Sequence, residues 1–254
     1  MKNDNYLSKE TTTNLKGIFA LIIFFGHLKN STPLLVGTTI GNLISIWAYL
    51  VVGGFFFFSG YGLCLQHKKH GKDYIKKFPF RRILPLYISC LVFSLIQFIY
   101  DLTLGNLNFS TFIKAILIPG RGIVFGWYIE ATFIIYILFW LFFSLFPKIN
   151  RVLAFSIISA LYLFITAFFN SPVWINSFGG FILGFLWCEY KDKIDALMSK
   201  NAAHILSTIL CTVTFAITFY FGNLNSIEDT LMAKIMLFVS VIAFIATILL
   251  FLNC

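Results

Sequence analysis

One stretch near the amino terminus decides the class of fold: Leu15-Lys-Gly-Ile-Phe-Ala-Leu-Ile-Ile-Phe-Phe-Gly-His27. The stretch is apolar enough for a membrane helix, yet it ends in a titratable imidazole. An ionisable side chain is costly inside a bilayer, so it usually faces a protein interior or a wet cavity. His27 is therefore a candidate functional residue, and the alternative is a structural histidine hydrogen-bonded to a neighbouring helix.

The composition of the whole chain predicts a polytopic membrane protein. Of its 254 residues, 59% are hydrophobic and only 11% are charged, and a soluble domain of this size does not bury so much apolar surface. We expect an all-α transmembrane bundle that forms a single domain over residues 1–254. The net charge of +9 indicates basic flanks of membrane helices, not nucleic-acid binding. The five cysteines lack CxxC spacing, so we expect buried thiols and no metal site.

Apolar runs of roughly 20 residues predict about eight spans. The run 109–118 is too short to cross and predicts an interfacial or re-entrant helix capped by Ser110 or Asn108. Asn170-Ser-Pro172 predicts a tight turn, and the end at Cys254 without a polar tail predicts a chain that lacks C-terminal spans. The predicted spans are 12–30, 43–65, 83–104, 126–147, 152–171, 172–190, 203–222 and 232–252.

The basic residues predict which side of the membrane each loop faces. If the N-terminus is cytoplasmic and the spans alternate, fifteen of the nineteen Lys and Arg residues lie on the cytoplasmic side, as the positive-inside rule favours. The loop 66–82 is then cytoplasmic and the segment 105–125 is external. Lys16 lies eleven residues before His27, or about 16 Å along a helix, which puts His27 near mid-membrane. An imidazole there can act as a general base.

A basic segment opens the third predicted span, Lys76-Lys-Phe-Pro-Phe-Arg81-Arg82-Ile-Leu-Pro85-Leu-Tyr87. It is explained either as a positive-inside anchor or as a phosphate clamp, since an arginine fork can bind two phosphate oxygens at once. Both explanations place the segment on the cytoplasmic face.

Two further motifs contain small, aromatic or acidic residues. Gly53-Gly-Phe-Phe-Phe-Phe-Ser59-Gly60-Tyr61-Gly62 predicts close helix packing, because glycine and serine let helix backbones approach. Gly126-Trp127-Tyr128-Ile129-Glu130 places an aromatic belt at the outer end of a span and an acid about one turn inside. We expect Glu130 to orient His27 or an acceptor hydroxyl if their helices are adjacent.

The order of these motifs resembles the membrane acyltransferase family 3. The resemblance is carried by Asn14-Leu-Lys-Gly-Ile…Phe-Phe-Gly-His27, Phe-Phe-Phe-Ser59-Gly60-Tyr61 and Arg82-Ile-Leu-Pro85-Leu-Tyr87. Trp127-Tyr128-Ile129 with Tyr136, and Gly179-Gly180-Phe-Ile-Leu-Gly184, are similar to two further family blocks. Within the family, the chain is similar to short members from Gram-positive polysaccharide clusters, although members usually have about ten spans. A bacterial plasma-membrane protein is implied.

The resemblance implies an O-acyltransferase, for groups other than aminoacyl groups. It would move an acetyl group from acetyl-CoA to a hydroxyl of a capsular, exopolysaccharide or cell-wall glycan, with membrane lipid as its surroundings. His27 is implied as general base or acyl carrier, with Glu130 as a second catalytic residue. Arg82 fits the second position of an Arg-x-x-Arg motif whose first position is Pro79 here. The implied donor-binding residues are Lys16, Lys77, Arg81 and Arg82, and the implied substrate-binding residues are Trp127, Tyr128, Ser59 and Tyr61.

Two other functional classes stay open at this point. Intramembrane His and Glu also suit a proton relay in a transporter or flippase for a lipid-linked sugar. Inverted repeats and paired broken helices, which are typical of transporters, are not evident in the sequence. The second alternative is an inactive, truncated remnant.

Overall fold

Apolar, proline-poor runs form helices throughout the part of the chain that the structure describes. The structure is a computed structural model, and it describes residues 6–31, 38–105, 109–120, 126–168, 172–225 and 231–253. A π-helical turn, Pro79–Ile83, follows the second helix. The α-helices are α1 (Lys9–Ser31), α2 (Thr39–Phe78), α3 (Leu84–Thr103), α4 (Phe109–Leu117), α5 (Trp127–Leu145), α6 (Arg151–Phe168), α7 (Pro172–Glu189), α8 (Lys191–Met198), α9 (Asn201–Asn225) and α10 (Leu231–Leu252).

The prediction of a helical membrane bundle is confirmed. Each predicted span coincides with a helix within the described ranges. Arg151–Thr166 and Ser177–Glu189 are shorter apolar helices, and the segment Leu43–Thr103 contains two predicted spans. Five described segments are long and apolar enough to cross a membrane, namely Lys9–Lys29, Leu43–Thr103, Trp127–Leu145, Asn201–Phe221 and Met232–Leu252.

The chain divides into two units. The first unit comprises residues 1–65 and 175–254, and the second comprises residues 66–174. Helix α2 contributes its first part to the first unit and its last part to the second. The first unit is therefore discontinuous in sequence, whereas the second is one uninterrupted stretch.

Glycines bring α2 and α7 into backbone contact in the first unit. A Cβ atom on Gly60 would overlap the carbonyl oxygen of Phe181, and one on Gly180 would lie 3.1 Å from the Cα of Gly53. Gly184 approaches the carbonyl of Phe57 in the same way. Only residues without a side chain allow helices to pack this closely, so the expected close helix packing is present.

Tyr6 ties the N-terminal segment of the first unit to α7 and α8. Its side chain is fully buried, and its hydroxyl donates to Asp195 Oδ1 at 2.9 Å. The Tyr6 hydroxyl oxygen in turn accepts a hydrogen bond from Trp187 Nε1 at 2.8 Å. Lys191 forms an ion pair with Asp195 and places its Nζ 5.0 Å from the centroid of the Tyr6 ring. Hydrogen bonds to the hydroxyl and a cation over the ring thus hold the residues that precede α1.

Helices α9 and α10 pack along each other in the first unit. His204 is buried, and its Nε2 lies 2.9 Å from the carbonyl oxygen of Leu250. This hydrogen bond joins the two helices, so His204 has a structural role.

Turns and short helices organise the second unit. Gly71 has φ 48° and interrupts the helical path of α2, a conformation that strongly favours glycine. The predicted short helix is present as α4, and the Tyr87 hydroxyl of α3 donates to the carbonyl of Ile116 at 2.8 Å. The prediction of Ser110 as its cap is wrong: α4 begins at Phe109, so Ser110 lies inside the helix. Asn108 and the predicted turn at Asn170 lie outside the described residues.

Candidate functional site

A basic cavity of 520 Å³ opens in the second unit. Three of its lining residues, Lys77, Arg81 and Arg82, belong to the predicted donor-binding set. Lys77 and Arg81 are four residues apart and share one face of a helix, and the wider π-helical turn adds Arg82, five residues after Lys77, to the same cavity. The full lining is Gln66, His70, Asp73, Tyr74, Lys77, Arg81 and Arg82.

The helical segments on both sides of Gly71 contribute to this cavity. Gln66 and His70 are four residues apart before the break, and Asp73 and Lys77 are four residues apart after it. Residues with that spacing share one face of a helix. Both pairs line the one cavity, although the backbone departs from helical geometry at Gly71 between them.

The charges of the cavity suit an anionic ligand with some polar groups. Lys77, Arg81 and Arg82 are exposed cations, and arginine forks are well matched to phosphate oxygens. Tyr74 is buried, and its hydroxyl interacts electrostatically with Arg82. Asp73 adds a single carboxylate, which can accept hydrogen bonds from hydroxyl or amino groups of a ligand.

Sequence reasoning missed four of the lining residues: Gln66, His70, Asp73 and Tyr74. The signal that could have found them is the four-residue spacing on either side of Gly71. Gln66, His70, Asp73 and Lys77 are spaced by four, three and four residues, which places them on one face of a regular helix, so this part of the lining was readable from the sequence.

His27 and Lys16 lie on α1 in the first unit. Lys16 places its Nζ 5.1 Å from the centroid of the Phe58 ring, which is a cation–π distance. His27 is half-buried, and the preceding Gly26 packs so closely on α2 that a Cβ there would lie 2.6 Å from the Cβ of Ala48. His27 is therefore held at a close crossing of α1 and α2.

Ser59 and Tyr61 lie on α2 in the same unit. Ser59 is half-buried and directly follows Phe58, the ring beneath Lys16. Tyr61 is buried and stacks on Phe57 at a centroid distance of 6.0 Å. The structure thus brings Lys16 next to the segment that holds Ser59 and Tyr61, two of the four predicted substrate-binding residues.

Glu130, Trp127 and Tyr128 lie in the first turn of α5, in the second unit. Glu130 is buried with 7% of its surface exposed, and a carboxylate in the first turn is favoured by the helix dipole. The rings of Trp127 and Tyr128 are 6.4 Å apart in an edge-to-face arrangement. Glu130 and His27 belong to different units, so the pairing of these two residues stays a prediction.

A protein-family model for an acyltransferase domain matches residues 13–254. The chain belongs to the acyltransferase 3 family. The match includes α1 with His27, the basic cavity and the first turn of α5. No curated protein and no solved structure matches the chain. The helical fold and the family together make it a membrane acyltransferase, which requires an acyl donor and an acceptor.

Within this acyltransferase, the described residues contain no group of three or more His, Cys, Asp and Glu side chains placed to hold a metal ion. The described side chains can supply proton transfer, nucleophilic attack and charge stabilisation. Imidazole, carboxylate and guanidinium groups are all present for these roles.

Proposed function

We propose that this membrane acyltransferase moves an acetyl group from cytoplasmic acetyl-CoA to a hydroxyl of a capsular, extracellular or cell-wall carbohydrate. The observation that carries the proposal is the basic cavity, whose three cations suit the phosphates of a CoA donor. A protein in this family needs an acyl donor, and CoA carries its negative charge on phosphates that an Arg–Lys cluster can bind.

The proposed reaction is a transfer of the acyl group from sulfur to oxygen. The acceptor hydroxyl oxygen bonds to the acyl carbon, the carbon–sulfur bond breaks, and the released thiolate takes a proton. His27 either removes the hydroxyl proton and passes it to the thiolate, or first carries the acyl group on its imidazole. Glu130 would stabilise a charged imidazole or orient the acceptor. Lys16 would add positive charge for the donor, and Ser59, Tyr61, Trp127 and Tyr128 would contact the substrates.

The proposed orientation supplies the two substrates from opposite sides. A cytoplasmic loop 66–82 places the basic cavity where CoA is available, and an external end of α5 faces the glycan. The N-terminus is cytoplasmic in this arrangement. The membrane is then crossed by the acyl group alone.

Mass spectrometry of the surface polysaccharide tests the proposal most directly. Cells with the gene should carry glycan units heavier by one acetyl group than cells without it. The purified protein in nanodiscs should transfer radiolabelled acetyl from acetyl-CoA to that glycan. Unchanged glycan mass, with normal glycan export, would contradict the proposed acetylation, whereas loss of glycan export would favour a transporter.

The choice of donor is tested with acetyl-dephospho-CoA, which lacks the ribose 3′-phosphate. If the basic cavity binds phosphates, this analogue should have a higher KM than acetyl-CoA, and added salt should reduce the difference because it screens exposed charges. Equal KM values for both donors would remove that phosphate from the proposed site.

A further inference from the structure

Helix α3 carries a polar face that the catalytic proposal does not use. Ser94, Gln97 and Asp101 follow one another at spacings of three and four residues in a largely apolar helix, so they lie on one side of it. The same three side chains line a small cleft between α3 and α4 in the second unit. Ionisable and polar groups in membrane helices are costly and usually mark a functional site.

Ser94 gives this cleft an unused hydrogen-bonding group. Only 3% of its surface is exposed, and its hydroxyl has no hydrogen-bond partner among the described residues. Buried polar groups are normally paired, because an unpaired one loses its bonds to water without replacement. A ligand group in the cleft would restore the missing bond.

Gln97 and Asp101 hold each other in place while keeping capacity for a ligand. Gln97 Nε2 donates to Asp101 Oδ1 at 3.0 Å. A carboxylate has about four acceptor sites and an amide offers two donors and an acceptor. One mutual hydrogen bond therefore leaves both groups able to bind a hydroxyl.

Aromatic rings border the same cleft. Phe98 of α3 and Phe112 of α4 line it, with ring centroids 4.3 Å apart. Phe109 is 59% exposed and lies 6.4 Å from Phe98. Apolar and aromatic walls with a few convergent polar groups are typical of small-molecule sites.

The size of the cleft limits what can enter. Its volume of 20 Å³ holds about one group of the size of water, so a single hydroxyl fits and a whole sugar ring does not. A ring would lie on the open side, against the aromatic side chains, and insert one hydroxyl.

We propose that the α3–α4 cleft is an anchoring subsite for one hydroxyl group of a carbohydrate acceptor. The Asp101 carboxylate accepts a hydrogen bond from the sugar hydroxyl, and the Ser94 hydroxyl donates one to the oxygen of that hydroxyl. The rings of Phe98 and Phe112 pack against the apolar face of the sugar. This subsite rests on the proposed carbohydrate acceptor. It binds without reacting, so Ser94 and Asp101 are binding residues and not catalytic ones.

Binding of simple sugars tests the subsite separately from catalysis. The full chain in nanodiscs would be mixed with a panel of methyl glycosides of glucose, galactose, mannose and N-acetylglucosamine, and saturation-transfer NMR would measure binding. Ser94→Ala should weaken binding about three- to tenfold, the effect of one neutral hydrogen bond, and Asp101→Asn by more, because a charged acceptor is stronger. The matched control is Ser89→Ala, since Ser89 is exposed on the same helix and bonds its own helix at Pro85.

If the polar face of α3 had only a structural role, the variants would behave differently. Removing the unpartnered Ser94 hydroxyl should leave the melting temperature unchanged or higher, so weaker binding by a stable Ser94→Ala protein supports the subsite. Sugar binding that all variants retain, or no binding of any panel member by the wild type, would overturn it. Wild-type binding without any acetyl transfer would refute the proposed activity alone and leave the subsite standing.

Discussion

Gly60 of α2 lies directly against the carbonyl of Phe181 in α7, and no side chain fits between them. Gly62, two residues further along α2, has no atom within 4 Å of the position that a Cβ would take. These two glycines offer a matched pair of substitutions, because they lie two residues apart in one helix and their surroundings differ.

Gly60→Ala should destabilise the protein, and Gly62→Ala should not. The new Cβ at position 60 forces α2 and α7 apart, and overpacking of this kind costs about 1–3 kcal/mol. Alanine at position 62 meets open space and should stabilise the helix by up to about 1 kcal/mol. Melting temperatures in nanodiscs measure both effects. Equal melting temperatures for the two variants would mean that the contact between α2 and α7 contributes nothing.

His27→Ala should abolish glycan acetylation while membrane insertion is retained. The reason is the loss of the imidazole that is proposed to remove the hydroxyl proton or carry the acyl group. Thr13→Ala is the control on α1, since Thr13 is exposed and its hydroxyl bonds the Lys9 carbonyl of its own helix. Mass spectrometry of the glycan measures the result. Near-normal acetylation by a well-expressed His27→Ala protein would contradict the assignment of His27 as the catalytic residue.

Arg82→Ala should raise the KM for acetyl-CoA by roughly one to two orders of magnitude, because a charged hydrogen bond to phosphate is lost. Lys148→Ala is the control: Lys148 is exposed and outside the cavity lining, so its loss changes the net charge equally. Steady-state kinetics in nanodiscs would compare the two. If both variants raise the KM by the same factor, the positive charge of the protein favours donor binding without a specific contact from Arg82. If neither variant raises the KM, Arg82 serves only as a topology anchor.

The proposed orientation predicts opposite labelling of two loops. On a background without the natural cysteines, a cysteine at position 70 should be protected in intact cells from an impermeant maleimide, and one at position 108 should react. The excess of basic residues on the side of loop 66–82 is the reason. The reverse labelling pattern would invert the topology and remove the cytoplasmic route for the donor.

Alkaline pH should loosen the attachment of the N-terminal segment. Burial raises the pKa of the Tyr6 hydroxyl in the folded protein, so its contribution to stability is fully present below the ordinary tyrosine value of about 10 and is lost as the pH rises above it. Thermal unfolding between pH 8 and pH 11 should therefore show a steeper loss for the wild type than for Tyr6→Phe. If the wild type and Tyr6→Phe lose thermal stability equally as the pH rises, groups other than Tyr6 cause the alkaline effect.

The positions of the helices could be predicted from the sequence. Apolar length is a local property, and hydrocarbon thickness sets its scale, so spans such as 203–222 and 232–252 coincide with α9 and α10. Close packing at Gly60 was also readable, because glycine and serine let helix backbones approach.

Contacts between residues far apart in sequence could not be predicted. Nothing in the N-terminal sequence indicates that Tyr6 reaches Asp195 and Trp187, and the short helix α8 has too little apolar length to stand out. The basic cavity was partly predicted: the charge of Lys77, Arg81 and Arg82 was visible, but the cavity that they share with His70 and Asp73 depends on packing that charge alone does not show. Ser110 was misplaced because a serine near a helix start fits either a cap or the first turn.

The discontinuous first unit imposes an order on biosynthesis. A ribosome completes residues 66–174 before it reaches Ile175, so every residue of the second unit is available while the first unit still lacks α7 to α10. Until then, the glycine face of α2 at Gly53 and Gly60 has neither Val241 nor Phe181 to pack against. The glycine face of α2 therefore stays without its packing partners in the bilayer until late in translation. The first unit can complete its packing only when α7 and α10 have been inserted.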